Sequence, residues 1–198
     1  MNPDNLKRLG KNDIILAGYT GSGAAWVGCL LVKLGFFYLD GYHEILHDKV
    51  LQRSTILPVK RRERLKVYQN RDQLHATYRE SFRIIKTHLY AETVGADPHI
   101  RVLVLVRDGR DAIISYYHWL KNFANLNHSL DSFLALGTPT DPIPPARAWA
   151  RFYAGWLGRI PASKVCLMRF EDMRAAPTTE ILRLLGFMNV QRTQEEIN

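Results

Sequence analysis

Lys86 and His88 stand two residues apart in the run Arg83-Ile84-Ile85-Lys86-Thr87-His88. In an extended strand, side chains two apart leave on the same face. A cation and a titratable imidazole side by side at a strand end suit acid–base chemistry next to an anion. Taken alone, the pair is more simply a surface lysine and a hydrogen-bonded histidine. A second set begins at Arg107 and runs through Asp108-Gly109-Arg110-Asp111-Ala112-Ile113-Ile114-Ser115-Tyr116-Tyr117-His118-Trp119. Arg107 offers a planar fork for a phosphate, and Ser115 offers a hydroxyl. Asp111 and Ser115 are four apart and share a helix face. Asp111 fits better as a helix cap or as the group that orients an arginine than as a catalytic residue.

A third set is the loop Gly18-Tyr19-Thr20-Gly21-Ser22-Gly23-Ala24-Ala25-Trp26. Its glycines would let backbone N–H groups approach an anion, and the next helix would aim its positive end there. The same residues would also make an ordinary strand-to-helix turn. Gly18 and Gly23 have the spacing of a nucleotide triphosphatase P-loop. Ala24-Ala25 stands where that motif places its Lys and Ser/Thr, which argues against a magnesium-dependent NTPase. Gly21 and Gly23 could instead open a Rossmann fingerprint without its third glycine, with Asp40 placed to bind a ribose. A dinucleotide enzyme or methyltransferase is therefore the competing reading.

These residues need strands to hold them. Asp13–Gly18, Phe36–Leu39, Arg83–His88, Arg101–Val106 and Lys164–Arg169 read as strands. Helices are expected from Ala24 to Leu34, Asp111 to Phe123, Pro145 to Trp156, and Pro177 to about Gly186. Residues 43–80 are charged and mostly helical in pattern, and the proline-rich Thr138–Pro145 reads as a loop. Continuous apolar strands alternating with helices predict a mainly parallel sheet with helices on both faces, a three-layer α/β architecture. In such sheets ligands bind beyond the carboxyl ends of the strands, where the three sets fall.

Composition narrows the partners. The 198 residues suit one domain. No run of 18 apolar residues exists to span a membrane, and the polar start lacks a signal peptide's apolar core, so a cytoplasmic protein is expected. Cys29 and Cys166 lie in apolar runs and read as reduced core residues, and Cys/His zinc spacing is absent. The formal charge of +8 favours anionic partners. The basic run Lys60–Arg64 fits a solvated helix face better than a nucleic-acid site.

Together the segments resemble the PAPS-dependent sulfotransferases of the cytosolic type. Against the family's Tyr-Pro-Lys-Ser-Gly-Thr-Thr-Trp, this chain keeps Tyr19, Ser22, Gly23 and Trp26. Lys86-Thr87-His88-Leu89 matches the family's Lys-Thr-His-Leu. Arg107, Asp111, Ser115, Tyr116, Tyr117 and His118 match Arg-x-x-x-Asp-x-x-x-Ser-Tyr-Tyr-His, the most specific of the motifs. Asp131-Ser132-Phe133-Leu134, the spacing of Trp149 and Trp156, and Glu171-Asp172-Met173 follow in family order.

The resemblance implies a P-loop-like fold and sulfuryl transfer from the nucleotide donor PAPS to a hydroxyl or amine, without a metal. His88 would be the general base, and Lys86 would stabilise charge as the sulfuryl group leaves. Gly21, Ser22, Gly23, Ala24 and Ala25 would hold the 5′-phosphosulfate. Trp26 would stack on adenine, and Arg107 and Ser115 would hold the 3′-phosphate. The acceptor pocket would come from variable loops, here residues 40–80 and 120–145. Two departures stand out. The family's loop lysine falls on Gly21, and its two threonines fall on Ala24 and Ala25. Losing a charge-assisted contact costs about 1.5–3 kcal/mol, so slow turnover is expected, with Gly21→Lys restoring rate unless Gly21 adopts φ > 0. Nothing after residue 188 matches the family's second adenine segment or its Arg-Lys-Gly loop. A single domain over residues 1–198 is thus compatible with a fragment, a minimal relative or a degenerate, non-catalytic nucleotide-binding descendant.

Overall fold

The computed structural model describes residues 9, 12–36, 38–40, 82–95, 99–124, 126–139 and 141–197. The helices expected within 43–80, the basic run 60–64 and the first acceptor loop lie outside these residues.

Five strands among the described residues form a wholly parallel sheet: β1 (Ile14–Gly18), β2 (Tyr38–Asp40), β3 (Ile84–Thr87), β4 (Arg101–Val106) and β5 (Val165–Arg169), in the spatial order β2-β3-β1-β4-β5. Their apolar runs are continuous because both faces are covered. Ile14 and Leu16 point into one core with Leu103, Leu105 and Met168, packed by α1 (Ala24–Lys33) and by two helices described below. Ile15 and Ala17 point the other way with Val102 and Val104. That second layer is closed by Ala91 of α2 (Ala91–Val94), by α3 (Gly109–Phe123), α4 (Leu130–Leu136) and α5 (Pro145–Arg159). The three-layer architecture expected from the sequence is the one observed.

Several boundaries differ from expectation for local reasons. α3 starts at Gly109 because Asp108 caps it, its carboxylate accepting from the Arg110 N–H at 2.9 Å. The cap is therefore Asp108, and Asp111 takes the other expected role, lying 3.6 Å from Arg107. Hydrogen bonds from the Arg110 guanidinium and N–H hold the exposed Asp108 carboxyl down at about 2. After β5 comes a short helix not foreseen in the sequence, α6 (Phe170–Ala175), then α7 (Pro177–Met188). α7 runs past Gly186 and ends where Asn189 adopts φ 57°, a left-handed cap that asparagine tolerates. A final turn, α8 (Gln194–Ile197), closes the described chain.

The strand order bears on function. β1 is flanked by β3 and β4, so the ends of the two motif-bearing strands sit on either side of the Gly-rich loop. β2 is separated from β1 by β3, and Asp40 is in register with Lys86. A Rossmann site needs its second strand beside the first, so that an acidic residue at its end reaches the ribose next to the glycine loop. The Rossmann role for Asp40 is set aside on this topology.

Candidate active site

Beyond the carboxyl ends of the central strands lies a cavity of about 610 Å³. Thr20, Gly21, Gly23, Ala24 and Ala25 line it from the loop and the start of α1, Lys86 and His88 from β3, and Ser115 from α3. Its remaining wall is largely aromatic, with Tyr19, Tyr90, Tyr116, Trp119 and Phe152. Most of the residues singled out in the sequence thus meet in one place.

His88 follows β3 directly, and its Nδ1 lies 2.5 Å from the carbonyl oxygen of Gly18, at the end of β1. A carbonyl only accepts, so Nδ1 carries the hydrogen and donates it. In the neutral ring Nε2 then holds the lone pair. Lys86 stands in β3 opposite Leu16, only 5% exposed, and still lines the cavity. The alternation read from the sequence is what delivers both side chains there. Thr87 points elsewhere and accepts from the Leu89 N–H at 3.1 Å.

The loop is held by shape. Gly21 and Gly23 have φ of 89° and 90°, a region that favours glycine. A Cβ on Gly21 would fall 2.1 Å from the Ala112 oxygen in α3, and one on Gly23 would fall 2.5 Å from the Phe170 ring. Position 21 is therefore packed backbone to backbone against a helix. The expectation that lysine there restores rate gives way to its own exception. Ala24 and Ala25 begin α1, whose N-cap Gly23 supplies no side-chain hydrogen bond. The first N–H groups of a helix have no intrahelical partner and face an anion favourably.

Ser22 is placed differently from its neighbours. It is 0% exposed, and its hydroxyl lies 2.9 Å from that of Tyr153. Tyr153 gives its one hydrogen to the Leu105 oxygen at 2.8 Å, so Ser22 donates, and the Tyr19 N–H adds a third bond at 3.3 Å. Burial pushes the Tyr153 phenol above its ordinary value and does the same to Tyr19. The Ser22 side chain thus ties the loop to α5 and β4 and does not line the cavity.

Arg107 and Trp26 sit beside the cavity. The Arg107 Nη1 donates to the Gly21 carbonyl at 3.0 Å, while its guanidinium lies 4.9 Å from the centre of the Phe170 ring. The buried Nε has no hydrogen-bond partner among the described residues. Arg107 lines a second hollow of about 350 Å³ with Asp111, Phe170, Glu171, Arg174 and Ala175. Trp26 is 44% exposed and meets Phe170 edge to face, ring centres 5.9 Å apart. Gly21 connects the hollows: it lines the first, and its carbonyl receives the arginine that lines the second.

Phe170 is the residue that sequence reading missed here. It fills the space vacated by Gly23, and both Arg107 and Trp26 rest against it. A signal was available, because Phe170 precedes the matched Glu171-Asp172-Met173 and stands on the tyrosine of that family motif. Glu171 adds a brace by accepting from the Asp108 N–H at 2.9 Å.

Known proteins resemble this chain in sequence and in fold. A family profile described as "Sulfotransferase domain" matches residues 11–198. "Sulfotransferase 1E1" of Rattus norvegicus is 22% identical over 187 residues, covering 89% of this chain and 59% of that protein. "Flavonol 3-sulfotransferase" of Flaveria bidentis is 22% identical, covering 93% and 59% respectively. Among solved structures, a mouse sulfotransferase complexed with PAP superposes with a TM-score of 0.65 at 17% identity, covering 99% of this chain and 66% of that one. A sulfotransferase from Alicyclobacillus acidocaldarius gives 0.60 at 16% identity, covering 90% and 81%. This chain spans about 59% of the length of the first two proteins. With the profile matched over nearly all of it, the chain belongs to the sulfotransferase family.

Proposed function

We propose that this protein transfers a sulfuryl group from PAPS to a hydroxyl or amine of a small acceptor, with His88 as the general base. The observation that carries the reading is the hydrogen bond from His88 Nδ1 to the Gly18 carbonyl, in a ring that lines one cavity with Lys86, Gly21, Gly23, Ala24 and Ala25. It orients the neutral imidazole and supports Nε2 as the atom that would take the acceptor's proton.

The residues present fit the donor. The uncapped start of α1 offers backbone N–H groups to a 5′-phosphosulfate. Arg107 has a buried, unpartnered Nε beside a hollow next to the same loop, the chemistry a 3′-phosphate asks for. Ser115 would add a hydroxyl, and the exposed Trp26 a face for adenine. The donor supplies the sulfuryl group and departs as adenosine 3′,5′-bisphosphate. Lys86, held in the strand beside the base, supplies positive charge where the leaving phosphate gains negative charge. The aromatic wall limits water around the acceptor. A cytoplasmic setting is the companion reading, supported by a sequence whose two cysteines both lie in apolar runs.

The test is sulfation of 4-ethylphenol by wild type and His88→Ala, with bisphosphate binding measured by calorimetry. Loss of the base should lower turnover by about 10²–10⁴-fold while leaving nucleotide affinity near its starting value. Fast turnover that survives the loss of His88 would refute the assignment. Tight nucleotide binding without any wild-type turnover would favour a non-catalytic nucleotide-binding protein.

A further inference from the structure

We propose that the acceptor fitted to this cavity carries a cationic amine, and that Asp141 is its counter-ion. The inference rests on the sulfotransferase reading, because it names the acceptor class for the same cavity. Asp141 lines that cavity together with His88. It is brought there by a pinned loop. Thr138 and Asp141 form an antiparallel bridge, the Asp141 N–H donates to Thr138 Oγ1 at 2.9 Å, and the Thr138 N–H donates to the Asp141 oxygen at 3.0 Å. Gly137, at φ 77°, packs so closely that a Cβ would fall 2.5 Å from the main-chain oxygen of Asp141.

The carboxylate itself is poorly matched. Its side-chain hydrogen bond is a long one, 3.4 Å from the Tyr90 hydroxyl, and no ion pair to it is found among the described residues. The nearby Arg151 is committed elsewhere: it pairs with Glu92 at 2.7 Å and rests 4.6 Å from the centre of the Tyr90 ring. A half-buried carboxylate against aromatic walls keeps a strong demand for a charged donor. The walls suit the same ligand, since Tyr116 and Trp119 also line the cavity and aromatic rings attract cations. Burial, and next the Asp141 charge, push the Tyr90 phenol above its ordinary value, which fits a carboxylate whose field reaches into the wall. The charged side chains described in the cavity are then divided by sign. Lys86 suits the anionic donor and Asp141 suits a cationic acceptor, while an acidic acceptor would be repelled.

Three phenols of one shape test this: tyramine, 4-ethylphenol and 3-(4-hydroxyphenyl)propionate. Wild type should favour tyramine over 4-ethylphenol in kcat/KM, and the propionate should rank last. Asp141→Asn keeps an acceptor for Tyr90 and removes the charge. It should reduce the tyramine preference about tenfold or more. Tyr90→Phe keeps the carboxylate and should retain the preference, which separates a counter-ion from a group that merely orients Tyr90. Titration of tyramine and 4-ethylphenol into protein saturated with adenosine 3′,5′-bisphosphate reads the same preference without turnover. It therefore still decides the matter if no phenol is sulfated. Equal tyramine-to-ethylphenol ratios in wild type and Asp141→Asn, by kinetics or by binding, overturn the inference and leave the sulfotransferase reading standing.

Discussion

The end of β3 and the loop after β1 face the same cavity but are built by opposite means. At the end of β3 the polar groups that line the cavity are side chains, Lys86 and His88, and the backbone serves to aim them. From Gly21 to Ala25 the loop brings little side chain to the cavity, through Gly21, Gly23, Ala24 and Ala25. Gly21 and Gly23 are defined by what packs where a Cβ would be, and the groups proposed to meet the anion are main-chain N–H groups at the start of α1. The first region tolerates changes in packing but not in residue type. The second tolerates little change in shape, because its chemistry is carried by the path of the chain. An absent lysine is thus not a vacancy awaiting repair. The neighbouring helix occupies its space.

The contrast can be broken most forcefully at Gly21. Gly21→Lys places a Cβ against the Ala112 oxygen at φ 89°, and should destabilise the fold by about 2–4 kcal/mol. For a domain of this size the melting temperature would drop by roughly 4–16 °C, with no gain in sulfation rate. An unchanged melting temperature with faster turnover would show that the loop is a decayed side-chain site after all. Arg107→Ala sharpens the comparison from the second hollow. It should weaken binding of adenosine 3′,5′-bisphosphate about 10–100-fold, the worth of a charge-assisted contact, and that of AMP much less. Equal losses for both nucleotides, measured by calorimetry, would reduce Arg107 to a brace for the Gly21 carbonyl. The smallest effect is expected at Tyr153→Phe, which leaves Ser22 Oγ and the Tyr19 N–H without their shared acceptor. A cost of about 1–2 kcal/mol is expected from chemical denaturation, with the nucleotide-binding constant nearly unmoved. A large drop in nucleotide affinity would mean that Ser22 acts on the ligand.

The parts of this arrangement that were legible in the sequence are those set by period and order. The continuous apolar runs at Asp13–Gly18 and Arg101–Val106 read as strands covered on both sides, and both are found at those bounds or within a residue of them. Lys86 and His88 reach one cavity because a strand alternates. What could not be read is what depends on contacts far apart in the chain. The sequence cannot say that Tyr153, 131 positions away, turns Ser22 inward, or that α3 fills the space above Gly21. Nor does it reveal strand order, so Asp40 looked adjacent to a glycine loop from which β3 in fact separates it. Phe170 and Asp141 escaped for a related reason. A phenylalanine after a strand and an aspartate in a proline-rich loop have no chemistry until their neighbours are known.

The bond from His88 to the Gly18 carbonyl has a bearing on how this protein can drift over generations. Its acceptor belongs to the main chain, so no single codon change at position 18 can delete it. A Cβ there would meet only ordinary contacts, 3.5 Å and 3.6 Å from Leu105 atoms. The Arg107 bond to the Gly21 carbonyl, the Tyr153 bond to the Leu105 carbonyl and the Trp156 bond to the Leu89 carbonyl follow the same rule. In each pair one member is exempt from side-chain mutation, which halves the ways a random substitution can break the link.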